Sequence, residues 1–597
     1  MRTWRVRKTF IYIIATCGSV LMLIGVMLTL KDSIDFTMIL LSKKMALWND
    51  SDAMKAWKKA PFPVLFKVYI WNVTNPKEVS AGAKPRLTEL GPYVYERWLE
   101  KANVKEEENE TLSYNENATM LFSEALSRNR RETDMVTIIH LPIVGMVLRV
   151  DEMMPEYVSY LNPVFPALFP GVEDIFLRAT VRDLLFDGIP IDCSSSDFMV
   201  TTACNNLEED LPKTIRKVGE KAFRFSFFDY KRRLSPDVMR VYRGTDDIRK
   251  LGKFYSFNNA MSVKKWHNEY CDMLNGSDGS HMPVNLKKDD LVYLFQADLC
   301  RAVYAKFERE VYREKIKLFR YVNTPDLFAS AKKNPNNECF CVPKAQLSDF
   351  LGGDDDDDAD AEEGERNDTE KPKTCPKAGS MIMTPCVGAP VVITFPHFYM
   401  GDESFSEYVQ LEPNKQLHET FVEVEPISGI PFLGSKRVQF NIEVKAIPDM
   451  EFMSNLTPGL FPVLWVEESM ELPESFSSQL SGLLTLHSYI GVAGFTAIAA
   501  ATVILIAAGV CYVKKNNSVS WGTDEGLNEA PAGHFNPTDG FGMNGIYSNR
   551  VKVPINISGN IPANNISNGL MPNYPILTKR NAGRVYPNPA IYRENFI

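Results

Sequence analysis

The sequence predicts an α+β membrane protein in which a β-rich outer domain is held between two transmembrane helices, and three observations predict it. Two uncharged apolar runs, residues 9–30 and 489–513, stand near opposite ends of the 597-residue chain. Eight of its ten cysteines lie between them, as do seven N-x-S/T sequons. In the same stretch, β-branched and aromatic residues alternate with polar ones, the period of strands with unlike faces.

Each apolar run exceeds the ~20 residues that a helix needs to cross ~30 Å of hydrocarbon. Arg2, Arg5, Arg7 and Lys8 precede the first run, and Lys514 and Lys515 follow the second. The positive-inside bias places residues 1–8 and 514–597 in the cytosol and residues 31–488 outside, or in a lumen. A cleaved signal peptide is the rival for the first run. No A-x-A-like site follows Leu30, however, and the run is long for a signal's apolar segment, which favours an uncleaved anchor. A two-pass protein of the cell membrane follows.

The outer domain opens as sheet. Residues 64–73, VLFKVYIWNV, read as one strand, and Gly91 and Pro92 introduce a second, PYVYERW. Residues 151–171 are strongly apolar but broken by Pro155, Pro163, Pro166 and Pro170 into short pieces; they read as core or as an exposed apolar patch for ligand or membrane contact. Helices are expected over 175–186 and 289–307. Val438, Phe440, Ile442, Val444 and Ala446 then alternate with Arg437, Gln439, Asn441, Glu443 and Lys445, as in a half-buried antiparallel strand. Residues 421–425 alternate more briefly before a turn at 426–431. No linker or repeat divides the region, so one large domain is expected. The Asn-, Pro- and Gly-rich segment after Lys515 reads as a disordered tail.

With 45% hydrophobic and 24% charged residues the composition is globular, and a net charge of -9 without a basic stripe argues against nucleic acid. Much of that charge sits in an acidic insert, residues 352–373, where Asp354 to Asp358 run together. Asp354, Asp356, Asp358, Asp360 and Glu365 can be laid on a calcium loop, but Ala359 occupies the position that needs Gly. A solvated loop is the better reading, and closure entropy grows slowly enough to tolerate one there.

Cys17 and Cys511 fall inside the apolar runs. Cys193, Cys204, Cys271, Cys300, Cys339, Cys341, Cys375 and Cys386 are an even number in an oxidising compartment and read as disulfides, their pairing left open by spacing. The sequons stand at Asn49, Asn72, Asn109, Asn117, Asn275, Asn367 and Asn455. No phosphate-loop, H-E-x-x-H or G-x-S-x-G motif occurs, and the one G-x-G-x-x-G, at Gly540, Gly542 and Gly545, lies in the tail. His267, Cys271 and His281 come close in sequence without a zinc pattern. No enzyme, cofactor or metal is expected. Tyr574 to Leu577 has the Tyr-x-x-apolar form of a sorting signal.

Several stretches resemble the class B scavenger receptors, the family of the fatty-acid translocase (cluster of differentiation thirty-six), lysosomal integral membrane protein type two and the insect sensory neuron membrane proteins. They are Asn75-Pro76-Lys77-Glu78-Val79, Gly82-Ala83-Lys84-Pro85, Glu89-Leu90-Gly91-Pro92-Tyr93, Cys271-Asp272-Met273-Leu274-Asn275-Gly276, Asp298-Leu299-Cys300-Arg301, Cys339-Phe340-Cys341, Phe395-Pro396-His397-Phe398 and Glu425-Pro426-Ile427-Ser428-Gly429. The resemblance implies an antiparallel barrel-like ectodomain with a helical apex, here about residues 151–187, and an internal hydrophobic tunnel toward the bilayer. It implies the pairs Cys271–Cys339, Cys300–Cys386 and Cys341–Cys375, which leaves Cys193 with Cys204. That last pair, after Leu184-Leu185-Phe186-Asp187-Gly188, is most like the sensory neuron membrane protein branch.

The resemblance further implies a receptor for membrane lipids and a hydrophobic small molecule: a fatty-acid-derived pheromone, a fatty acid or a sterol. The cargo would pass to the membrane, an odorant receptor channel or a lipid carrier protein. The ligand entrance would lie at Met153, Met154, Tyr157, Tyr160, Leu161, Phe165 and Phe169. No Lys occurs from 151 to 187, and only Arg178 and Arg182 are basic, so neutral cargo such as esters or aldehydes is favoured. The alternatives are a scavenging or endocytic receptor for lipids, lipoproteins or apoptotic cells, in which Tyr574 and Leu577 would serve, and a sorting receptor that binds protein through the apex.

Overall fold

A computed structural model describes residues 2–30, 41–209, 211–266, 268–343 and 373–520. The acidic run, Asn367, His267 and the tail with Tyr574 and Leu577 lie outside the described residues.

Two long helices bracket the chain, α1 (Arg2–Leu30) and, at its far end, Glu474–Ser520. Between them, strands β1 (Val64–Val73), β2 (Leu87–Glu107) and β3 (Thr111–Phe122) pair in succession. The chain then leaves the sheet for an apical region. There β4 (Met135–Ile139) pairs with β5 (Phe176–Thr180), and β6 (Ile189–Asp192) and β7 (Ile215–Gly219) flank β8 (Ala222–Phe225). Around these strands lie α2 (Leu141–Met153), α3 (Val164–Leu168) and α4 (Phe198–Glu209).

The chain returns through β9 (Val238–Tyr242) and β10 (Phe254–Phe257), then β11 (Val292–Gln296), β12 (Arg301–Arg313) and β13 (Ile316–Val322). Two-residue strands β14 (Val342–Pro343) and β15 (Lys373–Thr374) pair with each other. β16 (Ser380–Ile382), β17 (Val391–Thr394), β18 (Phe421–Val424), β19 (Pro431–Val444) and β20 (Gly459–Glu471) complete the main sheet, before the closing helix α5 (Glu474–Ser520).

The main sheet is antiparallel and runs β10-β9-β3-β2-β1-β20-β19-β18-β13-β12-β11. Residues 276–277 join its two ends. Phe254 N donates to Gly276 O (3.0 Å), Ser277 N to Tyr293 O (3.3 Å) and Phe295 N to Ser277 O (3.1 Å). The sheet is therefore a nearly closed barrel, which leaves few edge hydrogen-bonding groups unpaired. The juncture demands glycine. Gly276 has φ +88°, and a Cβ there would lie 2.0 Å from Tyr293 O.

The register separates the two faces of the wall. Phe66 stands opposite both Tyr95 and Glu468, Glu468 opposite Lys436, and Val466 opposite Val438, so these side chains share the inner face with the apolar core of Val68, Ile70 and Leu464. Lys67, Glu467, Arg437, Trp465 and Gln439 share the outer face.

Two helical expectations are corrected. Residues 289–307 form the β11–β12 hairpin around a 3-10 turn, Ala297–Leu299, with Cys300 left-handed at φ +47° and bonded to Cys386. Residues 175–186 hold strand β5 and a π turn, Asp183–Asp187. In both, strand pairing from a neighbour overrides an apolar spacing that also suits a helix. The expectation of a half-buried β19 matches Ile442, Glu443 and Val444, where the apolar residues are buried and Glu443 is exposed, but is corrected over residues 437–441. Its polar residues Arg437, Gln439 and Asn441 are buried, because the 391–418 segment covers the outer face, while Val438 and Phe440 on the inner face keep accessible surface.

Helices α1 and α5 pack side by side. Gly18 lies against Ile504 and Leu505, and Gly25 against the backbone of Ile498 and Gly494, facing the buried Ala501 and Ala508. Small residues let the backbones approach, as in helix pairs within lipid. Thr9–Met27 and Val492–Lys514 are long and apolar enough to cross a membrane.

Candidate functional site

The apex is an apolar lobe fused to the barrel core. Pro155 ends α2 and starts the 3-10 turn Pro155–Leu161; α3 follows after Pro163. Of the proposed entrance residues, Met153, Leu161, Phe165 and Phe169 are buried, Met154 is half-buried, and Tyr157 and Tyr160 are exposed with ring centres 6.0 Å apart. His140 caps α2, its Nδ1 accepting from Ile143 N (3.5 Å), while its ring packs on Phe169 (4.6 Å) and its Nε2 is buried without a partner among the described residues. Burial pushes this imidazole down to about 4, so it is neutral at physiological pH.

Below the apex a belt of charge crosses the inner wall. Arg97 of β2 pairs with Glu116 of β3 and stands 3.6 Å from Glu468 of β20. Glu468 also pairs with Lys436 of β19 and lies 3.9 Å from Lys231, which pairs with Asp298. Lys436 donates to Gln296 (3.0 Å) on the far side of the sheet, so these groups span the interior. Burial opposes the charge on Glu468, but Lys436, Lys231 and Arg97 outweigh it and hold the carboxyl well below the usual carboxylate range. Three cations and three carboxylates balance. Asp298, Glu116 and Lys436 keep 42%, 34% and 32% of their side-chain surface.

A second ion pair follows, Lys101–Asp278 at 3.5 Å, with Tyr114 donating to Asp278 (2.9 Å). Beyond it Leu47, Trp57, Phe254 and Phe295 form an apolar cluster, contributed partly by the residues that follow α1.

On the outer face, His397 Nε2 lies 2.6 Å from Glu89, Trp465 Nε1 donates to the same carboxylate (2.9 Å), and His418 stacks on His397 at 4.0 Å. Burial raises Glu89, but hydrogen bonds from His397 and Trp465 prevail and hold it below its ordinary value. Burial first, then His397, pushes His418 down to about 4. This cluster ties the 391–418 cover to the barrel wall.

Disulfides join Cys193 to Cys204, Cys271 to Cys339, Cys300 to Cys386 and Cys341 to Cys375. The last holds the two ends of the acidic segment 4.1 Å apart at Cα. Asn49, Asn109, Asn275 and Asn455 are exposed, and Asn72 and Asn117 half-buried.

This architecture has relatives. The profile of the CD36 family matches residues 16–512. The chain belongs to the CD36 family. Similar CD36-type chains include sensory neuron membrane protein 2 of Heliothis virescens, 35% identical over 489 residues that cover 81% of this chain and 89% of the relative. Sensory neuron membrane protein 2 of Manduca sexta is 32% identical with the same coverage, and sensory neuron membrane protein 1 of Apis mellifera is 29% identical over 80% of this chain and 86% of its own. With its two apolar helices, this CD36-family chain is a two-pass membrane protein.

Sequence reasoning missed the charged belt. Its one legible trace is Glu467-Glu468 inside an otherwise apolar strand, which places one carboxylate on each face of the wall.

The buried histidines give this CD36-family barrel an acid-labile range. Burial also pushes His281 down to about 4. All three are neutral in the fold and protonated in the unfolded chain below ~6.5. Their stabilisation is present above that pH and is lost as pH falls toward 4. Thermal unfolding of the detergent-solubilised protein is expected to drop steadily between pH 6.5 and 4, with His140 alone contributing on the order of 3 kcal/mol. His140→Gln flattens the slope; a melting temperature constant over that range would refute it.

Proposed function

We propose that the barrel interior is a conduit through which a two-pass membrane glycoprotein of chemosensory cells passes lipid-like molecules from the apex to the bilayer or to a neighbouring receptor channel. In this reading the termini are cytosolic, the barrel faces outward at the cell surface, and the protein acts by binding rather than catalysis. The observation that carries it is the inner wall of the nearly closed barrel, which keeps accessible surface at Val438, Phe440 and Lys436, with Asp298 in the β11–β12 turn beside it. Support also comes from the relatives named as sensory neuron membrane proteins.

The physical logic is that of a sheltered path. Each CH₂ removed from water stabilises by ~0.8 kcal/mol, so an apolar chain crosses only where it stays covered. Apolar wall above the belt and below Lys101 suits the chain of the cargo, and the belt suits a polar end. Fatty-acid-derived esters, aldehydes or acids have that form. The buried entrance residues Leu161, Phe165 and Phe169 would have to part for entry, whereas Tyr157 and Tyr160 are already at the surface.

The test is Val438→Trp, which adds bulk to the inner wall one cross-strand pair away from Lys436 and Glu468 and replaces no charged residue. In liposomes, transfer of a fluorescent fatty ester from a carrier is expected to fall to the protein-free rate, with surface display in cells unchanged. Undiminished transfer at normal display would sink the conduit.

A further inference from the structure

A groove of about 320 Å³ lies on the outside of the barrel where β2 pairs with β3 and Lys59 bridges to Glu100. Trp98 and Leu121 line it and are 37% and 54% exposed, an apolar strip on a face otherwise bounded by Lys59 and Glu100. The groove also contains Asn117. This residue opens the sequon Asn117-Ala118-Thr119, and its carboxamide makes no hydrogen bond among the described residues. Asn72 and Asn109 differ, their amides being engaged with Thr137 N and with the Tyr255 hydroxyl.

The register sets the geometry. Thr119 stands directly opposite Trp98, and Asn117 opposite Glu100, so the indole is the diagonal cross-strand neighbour of the asparagine on the same face. A ring attached at Asn117 reaches Trp98 with no rearrangement of the backbone.

We propose that this groove is the seat of the N-glycan of Asn117, whose first N-acetylglucosamine lies on the Trp98 indole and against Leu121. The proposal rests on the reading that residues 31–488 face outward. Attachment forms the bond from Asn117 Nδ2 to C1 of the sugar and breaks that from C1 to the diphosphate of a lipid-linked oligosaccharide; the amide proton leaves with the diphosphate. The C–H face of the sugar covers the aromatic surface, its hydroxyls reach Lys59 and Glu100, and covalent attachment keeps its local concentration high. An exposed apolar strip on a barrel wall thereby becomes a polar one.

The test uses the full chain made in a eukaryotic secretory host and held in detergent micelles, with site occupancy read by peptide mass spectrometry. Amidase release of the glycan from folded protein is expected to be about fivefold slower at Asn117 than at the exposed Asn275 and Asn455, and Trp98→Ala or Leu121→Ser to abolish the difference. Equal release in the parent and in both variants overturns the seat. So does an unmodified Asn117 beside modified Asn275 and Asn455, which leaves the topology standing. If no sequon is modified, the outward orientation and the seat fall together.

Discussion

Gly276→Ala is expected to abolish maturation of the protein. A Cβ at this position meets Tyr293 O at 2.0 Å, Tyr293 C at 2.2 Å and Leu294 N at 2.7 Å, all backbone atoms that cannot rotate away. The left-handed φ adds roughly 1–2 kcal/mol for any L side chain. Relief requires residues 276–277 to separate from β11, which breaks the bonds that close β10 to β11 and opens the apolar packing of Phe254 on Phe295, whose ring centres are 4.8 Å apart. The combined cost is on the order of 5 kcal/mol, comparable with the stability of a whole domain. Gly388→Ala is the control, since φ is +72° there with nothing within 4 Å among the described residues, and only the backbone cost applies. Glycan maturation and surface labelling report the outcome. A Gly276→Ala protein that reaches the surface as well as the control would show that the barrel does not depend on this closure.

Glu468→Gln is expected to cost about 3–5 kcal/mol, because it keeps the shape of the side chain and leaves Lys436, Lys231 and Arg97 one carboxylate short inside the wall. The pH dependence has a definite sign. The folded carboxyl is held well below its ordinary value, so its contribution is complete above the unfolded value of ~4.3 and is lost as pH falls through the folded one. At pH 7 the parent should therefore unfold well above the variant, and the gap should narrow under strong acid. Adding Lys436→Met restores the charge balance, and the double variant should recover most of the loss. Equal melting of parent and Glu468→Gln in detergent at pH 7 would contradict a charge-balanced belt.

Much of the scaffold was legible residue by residue. The run of β-branched and aromatic side chains at 64–73 coincides with β1, since half-buried strands select such residues. The prolines of 151–171 announced short helical pieces because each removes a backbone donor. Residues 289–307 went the other way: Val292, Phe295, Leu299 and Val303 sit at helical spacing as well as in strands. What settles them is the pairing of β11 with β12 and of β12 with β13. Apart from Glu467-Glu468, the charged belt was not legible. Arg97, Lys231, Asp298, Lys436 and Glu468 belong to five distant segments, and no local pattern marks residues that only the closed sheet brings together.

By itself, the sequence determined the layout: two apolar spans, a cysteine-bearing β-rich body between them, and family membership through long ordered motifs. Those properties are local or compositional, set by hydrophobic run length and side-chain period. Only the tertiary structure decided which side of a strand meets water. In β19 alternation says that the faces differ, yet over residues 437–441 the polar side chains are the buried ones, while Val438 and Phe440 on the inner face keep accessible surface. The reason is that exposure depends on what lies across the sheet. Here residues 391–419 lie against Arg437, Gln439 and Asn441, and supply Thr394 and the backbone of Val392 and Glu419 as hydrogen-bond partners.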